Sequence, residues 1–463
     1  MPQLHQQQRH VIAIDWGTCN TCITTIIGGE KPDGYCATQL FPSSISYIRT
    51  LDGLVPQLSP DRGEDAITLC QIKRLVGLSA QECLDQNLCQ TIPALVNSAT
   101  EPVRFKIFDE EVGLSSVLLS YFKLVHEFIC RLLNIGPNSR IDVVLTSPVA
   151  FTIGKRALIQ TILGQAGFDL IANLAEPTAA ALSHLFQSAR TLTQWIGKNI
   201  LVLDFGGGTF DITVLEVTGE KAFKVLGTSG HGQMGGDSVT TCIQQHCLEK
   251  WAIQAKNLTA EQNSALLPDC EFAKKRLCKH SSAKIRYPST GSSQDAITLT
   301  KDALYGIESF CRLVVSMSGL VKTMLVDAHV PTENIDRVAF VGGGSLLVGL
   351  KDFILGEVGL NKERVAVELN AGNVVAKGAC MYADSLVNGS ASVWNLTLEQ
   401  TLTRSIGIYI KPSTKEPQRD TSVILKRGSS LPTAENFLFF TTSEDNQKSV
   451  IISVCEGEHL QYS

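Results

Sequence analysis

The 463-residue chain lacks the long apolar runs and basic blocks that mark membrane and nucleic-acid-binding proteins. No stretch approaches the ~18 apolar residues needed to span a bilayer. The net charge is −5 and no cluster of Lys and Arg stands out, which argues against nucleic acid as the main partner. Residues 1–10 are polar, rich in Gln and without an apolar signal core, so we expect a disordered tail and no secretion. These absences predict a cytoplasmic protein with no membrane partner.

Paired cysteine spacing is also missing, although the chain has 14 cysteines. They are scattered, which is typical of free buried thiols in a reducing compartment. Cys19 and Cys22 form a C-x-x-C, but no second pair stands at metal-ligand spacing. We expect both to lie in or beside a hairpin rather than to bind zinc or act in redox chemistry.

Apolar residues make up 44% of the chain and charged residues 18%, so material for a core is ample. At about 100–200 residues per domain, the length predicts two to four lobes. Apolar periodicity predicts helices at 114–133, 156–166, 239–251, 307–326 and 374–381, and at 269–277 with Pro268 opening that helix.

One stretch organises the sequence. The apolar residues 200–203 predict a buried strand that ends at Asp204, and a second apolar strand begins near residue 212. The turn between the two strands carries Gly206, Gly207, Gly208, Thr209 and Asp211. Exposed backbone amides attract anions, and carboxylates beside them hold a divalent metal through water. A phosphate clamp with Mg²⁺ is one interpretation, and a plain β-hairpin whose glycines serve only geometry is the other.

The same pattern stands near the N-terminus. An apolar strand ends at Asp15 and a second strand follows at 23–27. The turn between them carries Gly17, Thr18, Cys19 and Asn20. Two Asp-tipped hairpins predict a duplicated fold with a ligand between its halves. Further glycine turns follow at Gly235 and Gly236, and at Gly342, Gly343 and Gly344 after a buried strand.

Several charged residues allow a plain structural interpretation as well as a functional one. Lys73 beside Arg74 is typical of a solvated surface pair. Glu176 opens a helix, where a carboxylate compensates the helix dipole. One helix face carries Glu271, Lys274 and Lys275, which on its own predicts a surface salt-bridge ladder.

Together these motifs resemble the DnaK-type, seventy-kilodalton heat-shock chaperones. The matching segments are Asp15-x-Gly-Thr, Ile72-Lys73-Arg74-Leu75, Glu176-Pro-Thr-Ala-Ala-Ala, Asp204 to Asp211, and Val341-Gly-Gly-Gly. The resemblance runs from Val11 to about residue 458, and Glu444-Asp445-Asn446-Gln447 resembles the substrate-binding domain of that family. The segment at 72–75 and the short N-terminal region resemble the HscA branch, which serves iron–sulfur cluster assembly.

The resemblance implies an α/β, actin-like ATPase of two duplicated lobes at 11–386. A linker at 387–400 and a partial β-sandwich substrate-binding domain at 401–463 would follow, truncated at its end. It implies ATP, Mg²⁺ and K⁺ as cofactors. Implied partners are a J-domain co-chaperone, a nucleotide exchange factor, and unfolded or iron–sulfur scaffold clients.

The resemblance also implies roles for individual residues. Asp15 and Asp204 would hold Mg²⁺ through water, and Lys73 would stand near the γ-phosphate and the attacking water. Thr209, Glu176 and Asp211 would complete the catalytic shell. The phosphates would be lined by Gly17, Thr18, Cys19, Asn20, Gly206, Gly207 and Gly208. The remaining nucleotide contacts would come from Gly235, Gly236, Glu271, Lys274, Lys275, Cys278, Gly342, Gly343 and Gly344.

The chain departs from the family pattern at several positions. Cys19 and Asn20 stand where the family has Thr and then an aromatic residue or Asn. Leu346 replaces an Arg that stacks on adenine, and loss of a guanidinium plane over a base costs about 1–2 kcal/mol. Gly372 replaces an Asp of the cleft. We therefore expect weakened ATP binding and slow hydrolysis.

The linker and the β module also depart from the family. The linker keeps only Leu396, Leu398, Glu399 and Gln400 of the family pattern. Poor cover is expected for Phe437, Phe439 and Phe440, so we expect peptide binding to be absent or crude. The competing hypotheses are an ATP-dependent chaperone, a truncated degenerate paralogue that binds nucleotide without refolding clients, and another actin-fold protein such as a sugar kinase or filament former.

Overall fold

A computed structural model of the chain describes residues 10–26, 36–58, 66–86, 88, 92, 94–188, 192–254, 258–288, 296–365, 372–392, 394–410, 421–433, 438–442 and 446–457. Of the predicted tail at 1–10, only His10 lies within these ranges. The carbonyl of His10 accepts a hydrogen bond from the backbone N–H of Asp142, so this residue is tied to a sheet instead of belonging to a tail.

Strands and helices of the described residues are numbered in chain order. The strands are β1 Val11–Trp16, β2 Asn20–Ile26, β3 Cys36–Pro42, β4 Ile45–Thr50, β5 Gly53–Gln57, β6 Ala66–Leu69, β7 Arg104–Ile107, β8 Glu110–Gly113, β9 Ile141–Ser147, β10 Phe168–Ala175, β11 Asn199–Phe205, β12 Phe210–Gly219, β13 Ala222–His231, β14 Ser282–Ile285, β15 Ile297–Thr300, β16 Ile335–Val341, β17 Thr397–Thr401, β18 Ile406–Tyr409, β19 Thr421–Leu425, β20 Ser430–Leu431 and β21 Val454–Glu456. The helices are α1 Ala80–Asp85, α2 Leu114–Leu133, α3 Ile153–Gln165, α4 Glu176–Ser188, α5 Gly236–Lys250, α6 Ala260–Leu277, α7 Lys301–Tyr305, α8 Glu308–Asp327, α9 Leu350–Val358 and α10 Val374–Asn388.

The two lobes are built on sheets of the same design. In the first lobe the strand order is β10-β9-β1-β2-β3, with β1 parallel to β9 and antiparallel to β2. In the second lobe the order begins β16-β11-β12-β13, with β11 parallel to β16 and antiparallel to β12. In each sheet, a central strand with Asp as its penultimate residue therefore has a parallel neighbour on one side and its hairpin partner on the other. The duplicated α/β fold predicted from the two hairpins is confirmed.

Two helices cross between the lobes. α4 follows β10 of the first lobe and contacts β11 and β12 of the second, whereas α10 follows the second lobe and contacts β1 and β9 of the first. The two helices also contact one another at a point with no room for a side chain, because a Cβ on Gly378 would come to 1.7 Å from the carbonyl oxygen of Ala179. Small residues on both helices permit this approach.

The helix predictions were right in type and wrong at several ends. The helix predicted at 114–133 matches α2. The helix predicted at 269–277 is wrong at its start, because α6 begins at Ala260 and contains Pro268. A capping box fixes that start: the Thr259 side chain accepts from the N–H of Gln262, and the Gln262 side chain accepts from the N–H of Thr259. This local signal outweighs the missing N–H of an internal proline.

The second-lobe helix α8 is long and apolar enough to cross a membrane by length and composition. Its apolar face is used inside the protein, however. Phe310, Val314 and Met317 are at most 1% exposed and lie in the core of the second lobe. A buried core helix explains the composition.

The predicted linker and β module differ from expectation. α10 continues to Asn388, and the last part of the predicted linker at 387–400 forms β17, which pairs in parallel with β13 of the second lobe. β20 then pairs with β17, while β18, β19 and β21 form a separate small sheet. The predicted module at 401–463 is thus divided between two sheets, one of which belongs to the second lobe.

In the last part of the chain, apolar residues alternate at 438–440 and 450–454, which predicts more strand than is present. Residues 438–440 and 450–452 are irregular, and strand pairing begins only at Val454. Phe439 is 96% exposed and Ile451 is 90% exposed, so their apolar side chains have no core to face. Phe437, Glu444 and Asp445, which were named in the sequence predictions, lie outside the described residues.

Polar contacts also join this region to the lobes. Arg404 donates to the carbonyl oxygen of Ala150 at 3.1 Å, and Arg427 pairs with Asp327 at 3.0 Å. Glu456 accepts a hydrogen bond of 2.7 Å from the backbone N–H of Ile153, the first residue of α3. A carboxylate at that helix N-terminus is favoured by the free amides and the helix dipole.

Candidate functional site

Equivalent strands of the two lobes deliver Asp15 and Asp204 into one cavity of ≈ 700 Å³. Asp15 accepts a hydrogen bond of 2.8 Å from the hydroxyl of Thr146 on the neighbouring strand β9. The Asp204 carboxylate lies against Gly342, whose φ is +80° and whose position has no room for a Cβ, since that atom would come to 2.6 Å from Asp204 Oδ1. A glycine is therefore required where the third glycine turn passes Asp204.

The glycine turns are held by backbone hydrogen bonds. Gly17 donates to the carbonyl of Asn20 at 2.9 Å, and Gly206 donates to the carbonyl of Thr209 at 3.0 Å. The turn at 235–236 packs directly on the second hairpin, because Gly236 donates to the carbonyl of Gly206 at 3.0 Å. A Cβ on Gly235 would come to 2.4 Å from the Gly208 backbone, which explains the glycine there.

The tips of the two lobes touch. A Cβ on Gly207 would lie 2.7 Å from Cys19 Sγ, and one on Gly208 would lie 3.0 Å from Thr18 Oγ1. Cys19 and Thr18 from the first lobe thus meet the glycine turn of the second. Burial raises the pKa of the Cys19 thiol to about 11, and the carboxylates of Asp237 and Glu271 add to the shift, so the thiol stays protonated at neutral pH.

A buried ion pair forms the floor of the cavity. Lys73 Nζ lies 2.7 Å from Glu176 Oε1, and the side chains are only 4% and 10% exposed. Lys73 belongs to a 3-10 turn at Ile72–Leu75, and Glu176 is the first residue of α4. The surface-pair interpretation of Lys73 is wrong, because the ammonium is buried and paired.

The acids around this pair are strongly perturbed. Burial raises the pKa of Asp15 to about 7, with a further increase from the charge of Glu176, whereas Lys73 and the Thr146 hydroxyl oppose the shift. Burial also raises the pKa of Asp204 well above its usual range, and the charges of Glu176, Asp211 and Asp15 add to that shift. Four carboxyl groups therefore share one buried ammonium. A divalent cation would relieve this excess of negative charge.

Asp211 stands behind the cavity instead of in its wall. Its Oδ1 accepts a hydrogen bond of 2.8 Å from the backbone N–H of Val149, and the side chain is fully buried. Burial raises its pKa to about 7, with the charge of Glu176 in the same direction. A Cβ on Gly230 would lie 2.2 Å from Asp211 Oδ1, so only glycine fits beside the carboxylate.

The donor set fits a magnesium ion that keeps most of its water. Within the described ranges, no group of three or more His, Cys, Asp and Glu side chains is arranged to hold a metal directly. Two carboxylates, Asp15 and Asp204, reach the cavity from opposite lobes. Mg²⁺ typically binds through one or two carboxylates together with water and phosphate oxygens.

One side of the cavity is formed by α6. Lys274 Nζ pairs with Glu271, and it also donates to the carbonyl of Gly236 at 2.8 Å, which ties α6 to the start of α5. Burial alone would raise the pKa of Glu271, but the charges of Lys274 and Lys275 outweigh it and hold the pKa below its usual value. Lys275 is 73% exposed. The predicted surface ladder is therefore only partly right, since Glu271 and Lys274 are half-buried at the cavity.

Most of the predicted site residues share this one cavity. Its wall includes Asp15, Gly17, Thr18, Cys19, Asn20, Lys73, Glu176, Asp204, Gly206, Gly207, Thr209, Gly236, Glu271, Lys274, Lys275, Cys278, Gly342, Gly343 and Gly344. Three predicted residues, Gly208, Gly235 and Asp211, do not line it.

The sequence analysis did not predict several residues that line the cavity. They include Leu40, Phe272, His280, Leu347 and Val375. The lining also contains the two departures noted above, Leu346 and Gly372. Leu40 carries no motif, but Phe272 is three residues before Lys275 on α6, so the two share a helix face, and this spacing could have predicted its place in the wall.

The paired sheets, the crossing helices and the acid-tipped hairpins define a two-lobed, actin-like ATPase fold. The family model described as Hsp70 protein matches residues 11–462. The chain belongs to the Hsp70 family.

Two relatives show how distant the match is. The chain is 27% identical over 467 residues to the "Chaperone protein DnaK" of Prochlorococcus marinus (strain MIT 9515), which covers 97% of this chain and 69% of the relative. It is 26% identical over 471 residues to the "Chaperone protein dnaK" of Cyanophora paradoxa, covering 97% and 70%. The resemblance to the DnaK-type chaperones that the motifs indicated is confirmed.

Proposed function

We propose that the chain is an ATP-dependent molecular chaperone with weak ATPase activity. The observation that carries the proposal is the convergence of Asp15, Asp204, Lys73 and Glu176 from both lobes on one cavity. The names of the DnaK relatives support the chaperone role. We also propose a cytoplasmic location, which the scattered free cysteines support, because free thiols are typical of a reducing compartment.

The cavity has the parts that phosphoryl transfer needs. Asp15 and Asp204 would hold Mg²⁺, which when bound neutralises charge on the phosphate oxygens. The backbone amides of the glycine turns would face the phosphates, and Lys73 would place a buried positive charge beside them. Glu176 holds the Lys73 ammonium in place at 2.7 Å, and it would orient water or accept its proton. We also propose that a K⁺ ion binds beside these carboxylates.

We propose that the protein binds the adenine base of ATP less tightly than it binds the phosphates. Leu346 lies in the cavity wall and is 43% exposed, so it offers an apolar surface where the family places a guanidinium. Gly372 offers no carboxylate. Cys278 and the exposed Lys275 add few directional contacts. We infer moderate ATP affinity and slow turnover, as the loss of about 1–2 kcal/mol at one contact would give.

The link to client binding would run through the contacts with the β strands after α10. β17 extends the sheet of the second lobe, and Glu456 closes the N-terminus of α3. A change in the angle between the lobes would therefore move these strands. We propose a J-domain co-chaperone and a nucleotide exchange factor as partners and an unfolded polypeptide as client. A more specific form of this proposal is that the client is an iron–sulfur scaffold protein, as for the HscA branch.

A second candidate function is favoured by the exposure of apolar side chains in the irregular segments at 438–440 and 450–452. Phe439, Ile451 and Val450 are 96%, 90% and 68% exposed, so client binding would lack a formed apolar pocket among these residues. The chain would then be a degenerate paralogue that binds nucleotide without effective refolding of clients.

ATP turnover with and without a J-domain protein separates the two candidates. Stimulation supports the chaperone, and basal turnover without stimulation supports the paralogue. Lys73→Ala should lower turnover about 100-fold, the typical loss when one preorganised charge is removed. Lys123→Ala, on the exposed face of α2, is the matched control and should change nothing. Calorimetry that shows no ATP binding at millimolar nucleotide with Mg²⁺ would rule out both candidates.

A further inference from the structure

A second cavity of ≈ 490 Å³ lies on the other side of the touching lobe tips. It shares Thr18, Lys73 and Thr209 with the first cavity, so the two are separated only by the residues at the tips. Its other walls come from residues 74–86, which include Glu82, from α3, from the end of β13 and from Arg404 between β17 and β18. Two lobes and the strands after α10 thus meet around this space.

The wall of the second cavity collects positive charge from three separate parts of the fold. Arg74 comes from the 3-10 turn of the first lobe, Lys155 from the first turn of α3, and Arg404 from the segment after β17. Arg404 is held in place by its hydrogen bond to the carbonyl of Ala150 at 3.1 Å. Arg74 has a partner, since its Nη1 lies 3.6 Å from Asp237. Lys155 and Arg404 have no ion pair with a carboxylate among the described residues.

The positive charges that meet at this junction repel one another. Burial lowers the pKa of Lys155, Glu82 opposes that shift, and the charge of Arg404 adds to it. Burial likewise lowers the pKa of Arg156, the next residue along α3, with Glu456 opposing and Arg404 adding to the shift.

The two nearby carboxylates are already hydrogen bonded. Glu82 lines the second cavity and accepts a hydrogen bond of 2.7 Å from the N–H of Ser79 in a capping box, and Glu456 accepts from the N–H of Ile153. Docking of Arg404 against α3 therefore brings cations together in a partly closed space whose lining includes more cations than carboxylates, which is unfavourable unless an anion is present.

We propose that this second cavity is an anion site that binds inorganic phosphate. The cavity offers an Arg fork at Arg404, an ammonium at Lys155 and a hydroxyl group at Thr18, which are groups that bind phosphate oxygens. If the proposed ATPase function holds, product phosphate has a second way out past Lys73 and Thr209, and the route passes Arg404. The binding site itself does not depend on hydrolysis.

The test is phosphate binding by the full chain without nucleotide. Isothermal titration with potassium phosphate is compared with potassium chloride at equal ionic strength. Arg404→Gln and Lys155→Gln should each weaken phosphate binding about tenfold, the loss expected for one charge-assisted hydrogen bond. Arg404 and Lys155 do not line the first cavity, so these losses would assign the bound phosphate to the second one.

The matched control is Arg427→Gln. Arg427 also joins the strands after β17 to the second lobe, through Asp327 and the carbonyl of Thr228, but it does not line the second cavity. Phosphate affinity should be unchanged in this variant. Equal losses in Arg404→Gln and Arg427→Gln would overturn the proposal, because loosened docking would then explain both. No phosphate binding beyond the chloride control would overturn it as well.

Failure of this inference is distinguishable from failure of the proposed function. A chain that binds phosphate through Arg404 but no ATP would support the anion site and contradict the ATPase. A chain that hydrolyses ATP while Arg404→Gln leaves phosphate affinity unchanged would do the reverse.

Discussion

Removal of the buried carboxylate Asp211 should stabilise the protein at alkaline pH. The folded-state pKa of Asp211 is about 7, against a usual value of 3.8, chiefly because the group is buried. Between these two pH values the folded chain holds a proton that the unfolded chain has released. The contribution of Asp211 to the free energy of unfolding is therefore most favourable below pH 3.8 and falls as the pH rises toward 7.

The size of the effect follows from the shift. One proton of difference changes the free energy of unfolding by about 1.4 kcal/mol per pH unit, so the interval from pH 5.5 to 7 costs about 2 kcal/mol. Asp211→Asn keeps the shape and still lets the N–H of Val149 donate to an oxygen, but it carries no charge at any pH. The variant should be more stable than the wild type throughout this range, and the difference in the free energy of unfolding should grow by about 2 kcal/mol between pH 5.5 and pH 8.

The assay is urea unfolding of both proteins at pH 5.5, 7 and 8 without Mg²⁺ or nucleotide. Asp109→Asn, at a carboxylate whose side chain is 88% exposed, is the control and should follow the wild-type pH dependence. Parallel curves for the wild type and Asp211→Asn would refute the reasoning, because Asp211 would then not be the source of the alkaline loss. The same variant should lose ATP turnover, a trade-off that is common at active sites.

Three further predictions concern the nucleotide cavity, the crossing helices and the docked strands. Leu346→Arg should tighten ATP binding about tenfold by restoring a guanidinium at the cavity wall, and unchanged affinity in calorimetry would contradict this. Gly378→Ala should lower the free energy of unfolding by about 3 kcal/mol or prevent folding, since its Cβ would come to 1.7 Å from the Ala179 carbonyl oxygen, whereas the exposed Gly356→Ala should have little effect. Glu456→Ala should free the N-terminus of α3 and make the segment after α10 easier to cleave, so an unchanged rate of limited proteolysis would count against that contact.

The acid-tipped hairpins of the candidate site could be predicted from the sequence because their residues are close together along the chain. In each hairpin the Asp and the glycines are only a few residues apart, so the order of residues already places the carboxylate beside the turn. The meeting of Asp15 with Asp204 followed from the duplication, since equivalent strands of two like lobes end at equivalent edges.

Contacts between residues that are far apart in the sequence could not be predicted in this way. The burial of Lys73 depends on Glu176, which is 103 residues away, and Leu40 reaches the cavity only because β3 lies at the edge of the first sheet. Pro268 misled the placement of α6, because the capping box at Thr259 outweighed a proline within the helix. Alternation at 450–452 predicted a strand, but no partner strand pairs with those residues in the part of the chain that the structure describes.

The contact between Gly378 and Ala179 has a mechanical consequence. Each of the two helices rests on the sheet of the other lobe, and they meet backbone to backbone with no side chain between them. Sliding of one helix along the other would therefore bring backbone atoms into collision. Any rotation of one lobe against the other has to leave this contact in place or break it.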